Sequence, residues 1–380
     1  MDPLLGWLQE HRADMIAALA ALVDAESPSD SPEHVETAGD LLARAATDLG
    51  ARVDRVPCGR AARAVRARFD GADATAAPVV LIGHLDTVWP LGTVEARPFT
   101  LDGHVARGPG VFDMKAGLVQ GLFALAALRA LGRTPPRPVV FLATGDEERG
   151  SLQSRPVVEA EARGAAAALI LEPAAGERGA LKTGRKGVGL YTLRVTGRAA
   201  HAGLEPEKGV SAVEEMARVI LACHALTDFG RGTTVNVGVV SGGTRPNVVA
   251  AEARADLDVR VSSRAEADRV DAAIRALRPA HPDARIEVEG GLNRPPMERT
   301  EGTARLFSLA RRAAADLGLP EPDEASVGGG SDGNFTSALG VPTLDGLGPI
   351  GDGAHALHEH VRVDRMPERA ALLARLIEMI

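Results

Sequence analysis

Several things are scarce in this 380-residue sequence, and each scarcity excludes a class of protein. Two cysteines, Cys58 and Cys223, are too few for a disulfide framework, so a reducing, cytoplasmic setting is expected. Basic side chains number 43 against 51 acidic ones, a formal charge of −8. Nucleic-acid binders usually carry a basic face, so no nucleic acid is expected as a partner. No uninterrupted apolar run reaches the roughly 18 residues of a membrane-spanning helix, so no membrane is expected either. The opening residues MDPLLGWLQEHRADM carry acids where a signal peptide needs positive charge, which argues against secretion. Lysine is rare, at positions 115, 182, 186 and 208 only, a bias that reflects GC-rich coding rather than function. No internal repeat or low-complexity linker is visible. With 45% apolar and 25% charged residues, what remains is a soluble enzyme of two or three domains.

The patterning gives the fold class. Residues 3–23 and 32–49 read as helices. The runs PVVLIGHLDTV (78–88), RPVVFLATG (137–145) and AAALILEP (166–173) are continuously apolar and alternate with helical stretches, one of them 114–131. That alternation predicts an α/β domain with a central, mostly parallel sheet flanked by helices. From about residue 184 the order becomes strand, helix, strand, strand, helix, strand, the ferredoxin-like α+β unit. A helix at 301–317, the glycine-rich SVGGGSDGNF and a C-terminal helix then resume the first pattern. The expected organisation is a catalytic domain of residues 1–182 and 295–380, split by an inserted domain of residues 183–294.

Acids and histidines collect where the apolar strands end. In LIGHLDTV, His84 and Asp86 are two apart, so on a strand they share a face, and one can bind a metal while the other supports it. TGDEERGS ends the next strand with adjacent Glu147 and Glu148, free to do different work. Glu172 ends the third strand behind apolar residues that an unpartnered carboxylate avoids. Asp113 sits on the turn GPGVFDMKAG before a helix. Each alone is commonly structural. Together they place His84, Asp113, Glu148 and Glu172 at the carboxyl edge of one parallel sheet, where open α/β folds bind ligands. Nitrogen and oxygen donors without sulfur suit zinc, with cobalt or manganese as substitutes. A pair of metals needs a bridging carboxylate and ligands on both sides, so one more is expected from the three histidines of GPIGDGAHALHEHV.

The series GHLDTV, GPGVFDMKAG, DEERGS, LEP, AHAG, RPNVV and GAHALHEHV resembles the M20 family of dinuclear zinc peptidases and deacylases, over nearly the whole chain and in the same order. Its branch of folate-hydrolysing glutamate carboxypeptidases is the most similar. The resemblance implies two zinc ions per subunit. His84 and Glu172 would bind one, Glu148 and a C-terminal histidine the other, and Asp113 would bridge them. His355, with Glu359 four residues on, matches that histidine; the family's usual tyrosine after the glutamate is His360 here. Asp86 matches the aspartate that orients the first histidine, and Glu147 the general base that takes a proton from the attacking water. His201, in GRAAHAGLEPEKG, matches a histidine that reaches across a dimer to stabilise the oxyanion, so the inserted domain is implied to be a lid that also forms a homodimer.

Asn247 and Arg260 match lid positions that contact substrate, Arg294 matches a further arginine at the lid's exit, and a guanidinium grips a carboxylate through two parallel hydrogen bonds. Ser331 is expected to line the same site. The implied activity is hydrolysis of an amide bond next to a C-terminal amino acid, glutamate first. The alternative is an N-acyl-amino-acid deacylase of the acetylornithine deacetylase or aminoacylase kind, or a dipeptidase. In each case the substrate is a small peptide or N-acyl amino acid. GGSDG (329–333) also fits the G-x-S-x-G elbow of serine hydrolases, with Ser331, Asp352 and His355 in order, but the residues before it are too polar for the buried strand that elbow leaves. GPGVFD falls short of a dinucleotide fingerprint.

Overall fold

Three aliphatic runs, Val79–His84, Val139–Thr144 and Ala167–Ile170, form strands in which every residue is buried. They lie side by side and parallel in a computed structural model that describes residues 2–380. Successive side chains point to opposite faces, which sorts the core into two layers. Val79 and Leu81 join the cluster holding Leu8, Leu19, Leu125 and Leu376 of the helices Pro3–Glu10, Arg12–Asp24, Ala116–Ala130 and Met366–Met379. Val80 and Ile82 join the other, with Val158 of Arg155–Ala162 and Phe335 of Gly333–Ala338. A strand covered on both faces needs apolar residues throughout, which is why these runs do not alternate. Truncating the wholly buried Leu81 to alanine would cost about 2–5 kcal/mol.

The sheet has six strands, in the order Arg52–Cys58, Ala61–Phe69, Val139–Thr144, Val79–His84, Ala167–Ile170, Thr343–Leu344. Four run parallel, and the hairpin Arg52–Phe69 adds two antiparallel strands at one edge. Its outer arginines are ion-paired, Arg66 with Asp54 and Glu161, and Arg68 with Glu161. The expected N-terminal helix is two helices, broken at His11, whose ring stacks on Trp7 at 3.8 Å and bonds the Trp7 carbonyl. Val111–Ala130 is long and apolar enough to cross a membrane, which the reading of apolar runs did not recognise. Most of it is buried among the other helices, as befits a core element.

A small antiparallel sheet positions the C-terminal loop. His360–Arg362 pairs with Val105–Arg107 on one side and Gly351–Asp352 on the other, so residues 353–359 loop out beside the turn that carries Asp113.

The chain divides into two compact units. One holds the residues up to Gly184, Arg299–Val327 and Ser331–Ile380; the other holds Arg185–Glu298 and Gly328–Gly330. The second unit has four antiparallel strands in the order Thr234–Gly242, Glu252–Val261, Gly187–Thr196, Arg285–Arg294. Numbered along the chain this is second, third, first, fourth, the ferredoxin-like arrangement. Ala212–His224 and Arg264–Arg275 cover one face, where Leu193, Val195, Leu257, Val219 and Val270 form a core of their own. The other face carries the polar half of each alternation, such as Arg254, Asp256 and Arg260.

Candidate metal centre

The ligand candidates lie at strand ends and on turns of the first unit. His84 closes Val79–His84 and is 1% exposed. Glu147 and Glu148 sit on the single turn of 3-10 helix Glu147–Arg149, after the neighbouring parallel strand. Glu172 lies two residues past Ala167–Ile170. Asp113 occupies the irregular turn Val111–Lys115 ahead of Ala116–Ala130, with a cis peptide bond to Met114. His355 lies in the C-terminal loop with a left-handed backbone, φ 61°.

Asp113 turns one oxygen to each side. Its Oδ1 is 3.3 Å from His84 Nε2, which is also 3.5 Å from Glu172 Oε1. Its Oδ2 is 3.4 Å from His355 Nε2, itself 3.0 Å from Glu148 Oε2. Two triads, His84–Asp113–Glu172 and Asp113–Glu148–His355, therefore share one carboxylate, and within each the ligand atoms lie within 4.8 Å of one another. One imidazole and two carboxylates per triad is a donor set for a divalent ion, and a shared carboxylate is what two adjacent ions need.

The electrostatics tell the same story. Burial opposes charge on His84, yet the hydrogen bonds of Asp113 and Asp86 hold its pKa well above the ordinary value. Hydrogen bonds to Asp113 and Glu148 raise His355 to about 10. Burial pushes Glu148 up, with the charges of Asp113 and Glu147 adding to it, while Asp113 is held low by the two histidines against the effect of burial. So many carboxylates in a buried space call for positive charge among them.

Asp86 lies two residues beyond His84, but the strand stops at His84, so the expected shared strand face does not form. The pair meets differently. His84 Nδ1 lies 2.9 Å from the Asp86 main-chain oxygen and 3.5 Å from its carboxylate. The carboxylate, wholly buried, accepts the Glu147 and Glu148 N–H groups at 3.1 Å each and the Ser29 hydroxyl at 2.7 Å. Asp86 thus sets the turn that carries both glutamates.

The pattern that defines Peptidase family M20/M25/M40 matches residues 80–379, the stretch holding every ligand candidate. The chain belongs to this family. It is a metal-dependent hydrolase of amide bonds. It is 30% identical over 372 residues to carboxypeptidase G2 of Pseudomonas sp. (strain RS-16), a match that covers 96% of this chain and 88% of that one. It is 30% identical over 325 residues to the succinyl-diaminopimelate desuccinylase of Stenotrophomonas maltophilia (strain K279a), covering 80% and 84%. Among solved structures, aminopeptidase PepT from Bacillus cereus ATCC 10987 shares the fold with a TM-score of 0.78 at 23% identity, over 97% of this chain and 98% of that one. These M20 relatives act on different bonds, so the family fixes the chemistry and not the substrate.

The remaining candidates of the M20 reading lie in the second unit, except Ser331. His201 is exposed, and its Nδ1 accepts N–H bonds from Gly203 and Leu204 at 3.1 Å each. The His201 segment bridges to Val248, and Ala202 N–H donates to the Asn247 carbonyl, which brings His201 and Asn247 together. Arg260 and Arg294 both stand opposite Val188, from the strands on either side of it. Arg260 is held bidentately by Asp258, at 2.8 Å twice, while Arg294 is 4% exposed. A cavity of about 630 Å³ in the second unit is lined by Arg194 and Arg254, which pair with Glu289 and Asp256.

Ser331 opens the last stretch of the first unit. It is wholly buried, its hydroxyl donates to Asp345 Oδ2 at 2.7 Å and it accepts the Gly333 N–H. The serine-hydrolase alternative falls with the family assignment.

Two supporting residues escaped the sequence reading. Glu359, noted only for its spacing, is fully buried and gathers the Asp113 turn, and Trp89 donates its indole N–H to it at 2.8 Å. The available signal was a rare residue in a telling place: Trp89, one of two tryptophans, lies five positions after His84.

Proposed function

We propose that this enzyme is a dinuclear zinc carboxypeptidase that cleaves the amide bond before a C-terminal acidic residue, glutamate first. His84 and Glu172 would hold one ion, Glu148 and His355 the other, and Asp113 both. When bound, the ions supply Lewis-acid polarisation of the scissile carbonyl and acidify the attacking water. Glu147, on the turn fixed by Asp86, is the general base, and it returns the proton to the leaving amine. With Nδ1 of His201 accepting two N–H bonds, the neutral ring carries its proton on Nε2, which suits the imidazole as a donor to the oxyanion. Glu147→Gln should lower kcat by about 10²–10⁴-fold with the metal content intact.

One observation carries the preference for an acidic residue: Arg260 and Arg294 flank Val188 in one row of the sheet, two guanidiniums for a substrate with two carboxylates once Arg260 exchanges Asp258 for one of them. Similarity to carboxypeptidase G2 over almost the whole chain supports a carboxypeptidase, whichever the residue released. A panel of N-benzoyl and N-acetyl amino acids and dipeptides, varied at the C-terminal residue, tests it. Glutamate should be preferred at least tenfold in kcat/KM over glutamine; equal rates would refute the assignment. The second reading is an N-acyl-amino-acid deacylase, favoured by the desuccinylase relative, and it predicts the larger response to the acyl group.

The second unit also suits a homodimer. Thr234–Gly242 is an edge strand with Val239 60% and Val240 59% exposed, and Leu221 on the neighbouring helix is 72% exposed. An apolar, unpaired edge invites a second copy. Sedimentation of the parent and of Val240→Lys should give dimer and monomer; a monomeric parent would refute it. The cytoplasm is the compartment that fits two buried free thiols.

A further inference from the structure

Glu359 is a carboxylate in a place that normally excludes one. Its side chain is fully buried, and its partners are donors from two other segments of chain. Oε1 accepts the N–H groups of Phe112 at 2.9 Å and Asp113 at 3.1 Å. Oε2 accepts the N–H of Gly110 at 2.9 Å and the indole N–H of Trp89 at 2.8 Å. Four donors on two oxygens satisfy an ionised carboxylate and would not satisfy an amide, which has one acceptor oxygen. Burial raises the Glu359 pKa, and these same bonds oppose the rise.

The donors belong to the metal centre's own framework. Gly110, Phe112 and Asp113 form the turn that carries the shared carboxylate, and Trp89 lies on the loop that leaves His84. Glu359 itself ends the loop of His355. Arg97 closes the arrangement: its guanidinium lies 4.4 Å from the Trp89 ring centre, and its Nη2 donates to the carbonyl of Leu357, midway between His355 and Glu359, at 2.8 Å. Room is tight, since a Cβ on Gly353 would lie 2.8 Å from the Glu359 nitrogen.

We propose that Glu359, with Trp89 as its indole donor, is the positioning residue of the metal centre: it joins three ligand-bearing segments and sets the separation of Asp113 from His355 without touching a metal. This rests on the ligand assignment proposed above. Partners behind metal ligands typically change metal affinity by 10–100-fold when removed. The amide of Glu359→Gln, in either orientation, turns its NH₂ toward two N–H donors, and the Asp113 turn must move away. Trp89→Phe removes one donor and keeps a ring beneath Arg97.

The test is zinc affinity of the metal-stripped full-length chain, by competition with a chromophoric chelator, on folded protein well below its melting midpoint. Glu359→Gln should bind zinc 10–100-fold more weakly and Trp89→Phe several-fold more weakly, with activity returning as zinc is raised. A role in stability alone would lower the melting midpoint and leave the affinity per folded molecule unchanged. Affinities within twofold of the parent for both variants overturn the proposal, and Trp89→Phe decides it should Glu359→Gln not fold. His355→Ala in the same titration separates the two levels. If it binds zinc like the parent, the ligand assignment fails; if it loses zinc while Glu359→Gln and Trp89→Phe do not, only the positioning role fails.

Discussion

A single main-chain oxygen offers the most sensitive handle on the site. The Leu171 carbonyl precedes Glu172 and lies between two glycines. A Cβ built on Gly117 would stand 2.0 Å from it, and one built on Gly348 would stand 2.1 Å from it. Ordinary Cβ contacts begin near 3.4 Å, so either methyl requires more than an ångström of movement by backbone. Overpacking of this kind costs about 1–3 kcal/mol. At Gly117, inside the helix Ala116–Ala130, alanine recovers roughly 0.8–1 kcal/mol of helix propensity. Gly348 lies outside any helix and has no such offset; its N–H also donates to the Glu172 carbonyl at 2.9 Å. The net expectation is a loss of about 0–2 kcal/mol for Gly117→Ala and about 1–3 kcal/mol for Gly348→Ala.

Stability is the smaller consequence. Glu172 is the next residue, and His84 Nε2 lies 3.5 Å from its carboxylate. A displacement of about an ångström is enough to spoil a coordination sphere whose distances hold within roughly 0.2 Å. Both variants should therefore bind zinc at least tenfold more weakly. Gly121→Ala, one turn along the same helix, is the control: its Cβ would meet the Leu171 side chain at 2.8 Å, a terminal methyl that can turn aside. It should bind zinc like the parent. Urea unfolding of the metal-free proteins and zinc competition measure the two effects. If Gly348→Ala matches the parent in both, the reasoning from backbone crowding is refuted.

Three further outcomes follow from particular residues. Asp86→Asn leaves the Glu147 or Glu148 N–H facing an amide NH₂ in a fully buried space, and should cost about 2–4 kcal/mol in urea unfolding while lowering kcat at saturating zinc; an unchanged kcat would contradict its hold on the turn. His355→Ala should strip metal, measured by elemental analysis, whereas His358→Ala should be mild, since that side chain is 68% exposed. In the second unit, hydrogen bonds from Arg269, then Thr233 and Arg231, hold Glu266 at about 2 against an ordinary 4.5. A depressed carboxylate contributes stability above its unfolded pKa and loses it as pH falls toward the folded one. Glu266→Gln should therefore flatten the loss of stability between pH 4.5 and 2; an unchanged acid limb would contradict the pairing.

Those elements whose patterns are local were legible in the sequence. Val79–His84, Val139–Thr144 and Ala167–Ile170 are continuously apolar because both faces are covered, and the strands of the second unit alternate because one face is open. The break at His11 was not legible, because residues 3–23 keep one apolar stripe across it and the interruption is a ring stack. Nor was the stop of the strand at His84, since Leu85 continues the apolar run and its N–H still bonds Thr144. With that one-residue detail the Asp86 carboxylate stays 3.5 Å from His84 Nδ1 and also accepts the N–H groups of the glutamate turn.

Three ligand candidates were legible for a related reason: His84, Glu148 and Glu172 close or follow apolar strands, whereas Asp113 and His355 lie on a turn and a loop. What binds those ends to one another leaves no such mark. Glu359 reaches Asp113 across 246 residues, and Asp86 reaches the Glu148 N–H across 62. Both act on main-chain N–H groups, which every residue but proline carries, so no residue type at the receiving end signals the contact. A sequence can thus announce which atoms could touch a metal, while the residues that set their spacing stay silent until the chain is folded. The positions where substitution tests this enzyme most sharply are therefore ones that the ligand motifs do not contain: Gly117, Gly348, Trp89 and Glu359.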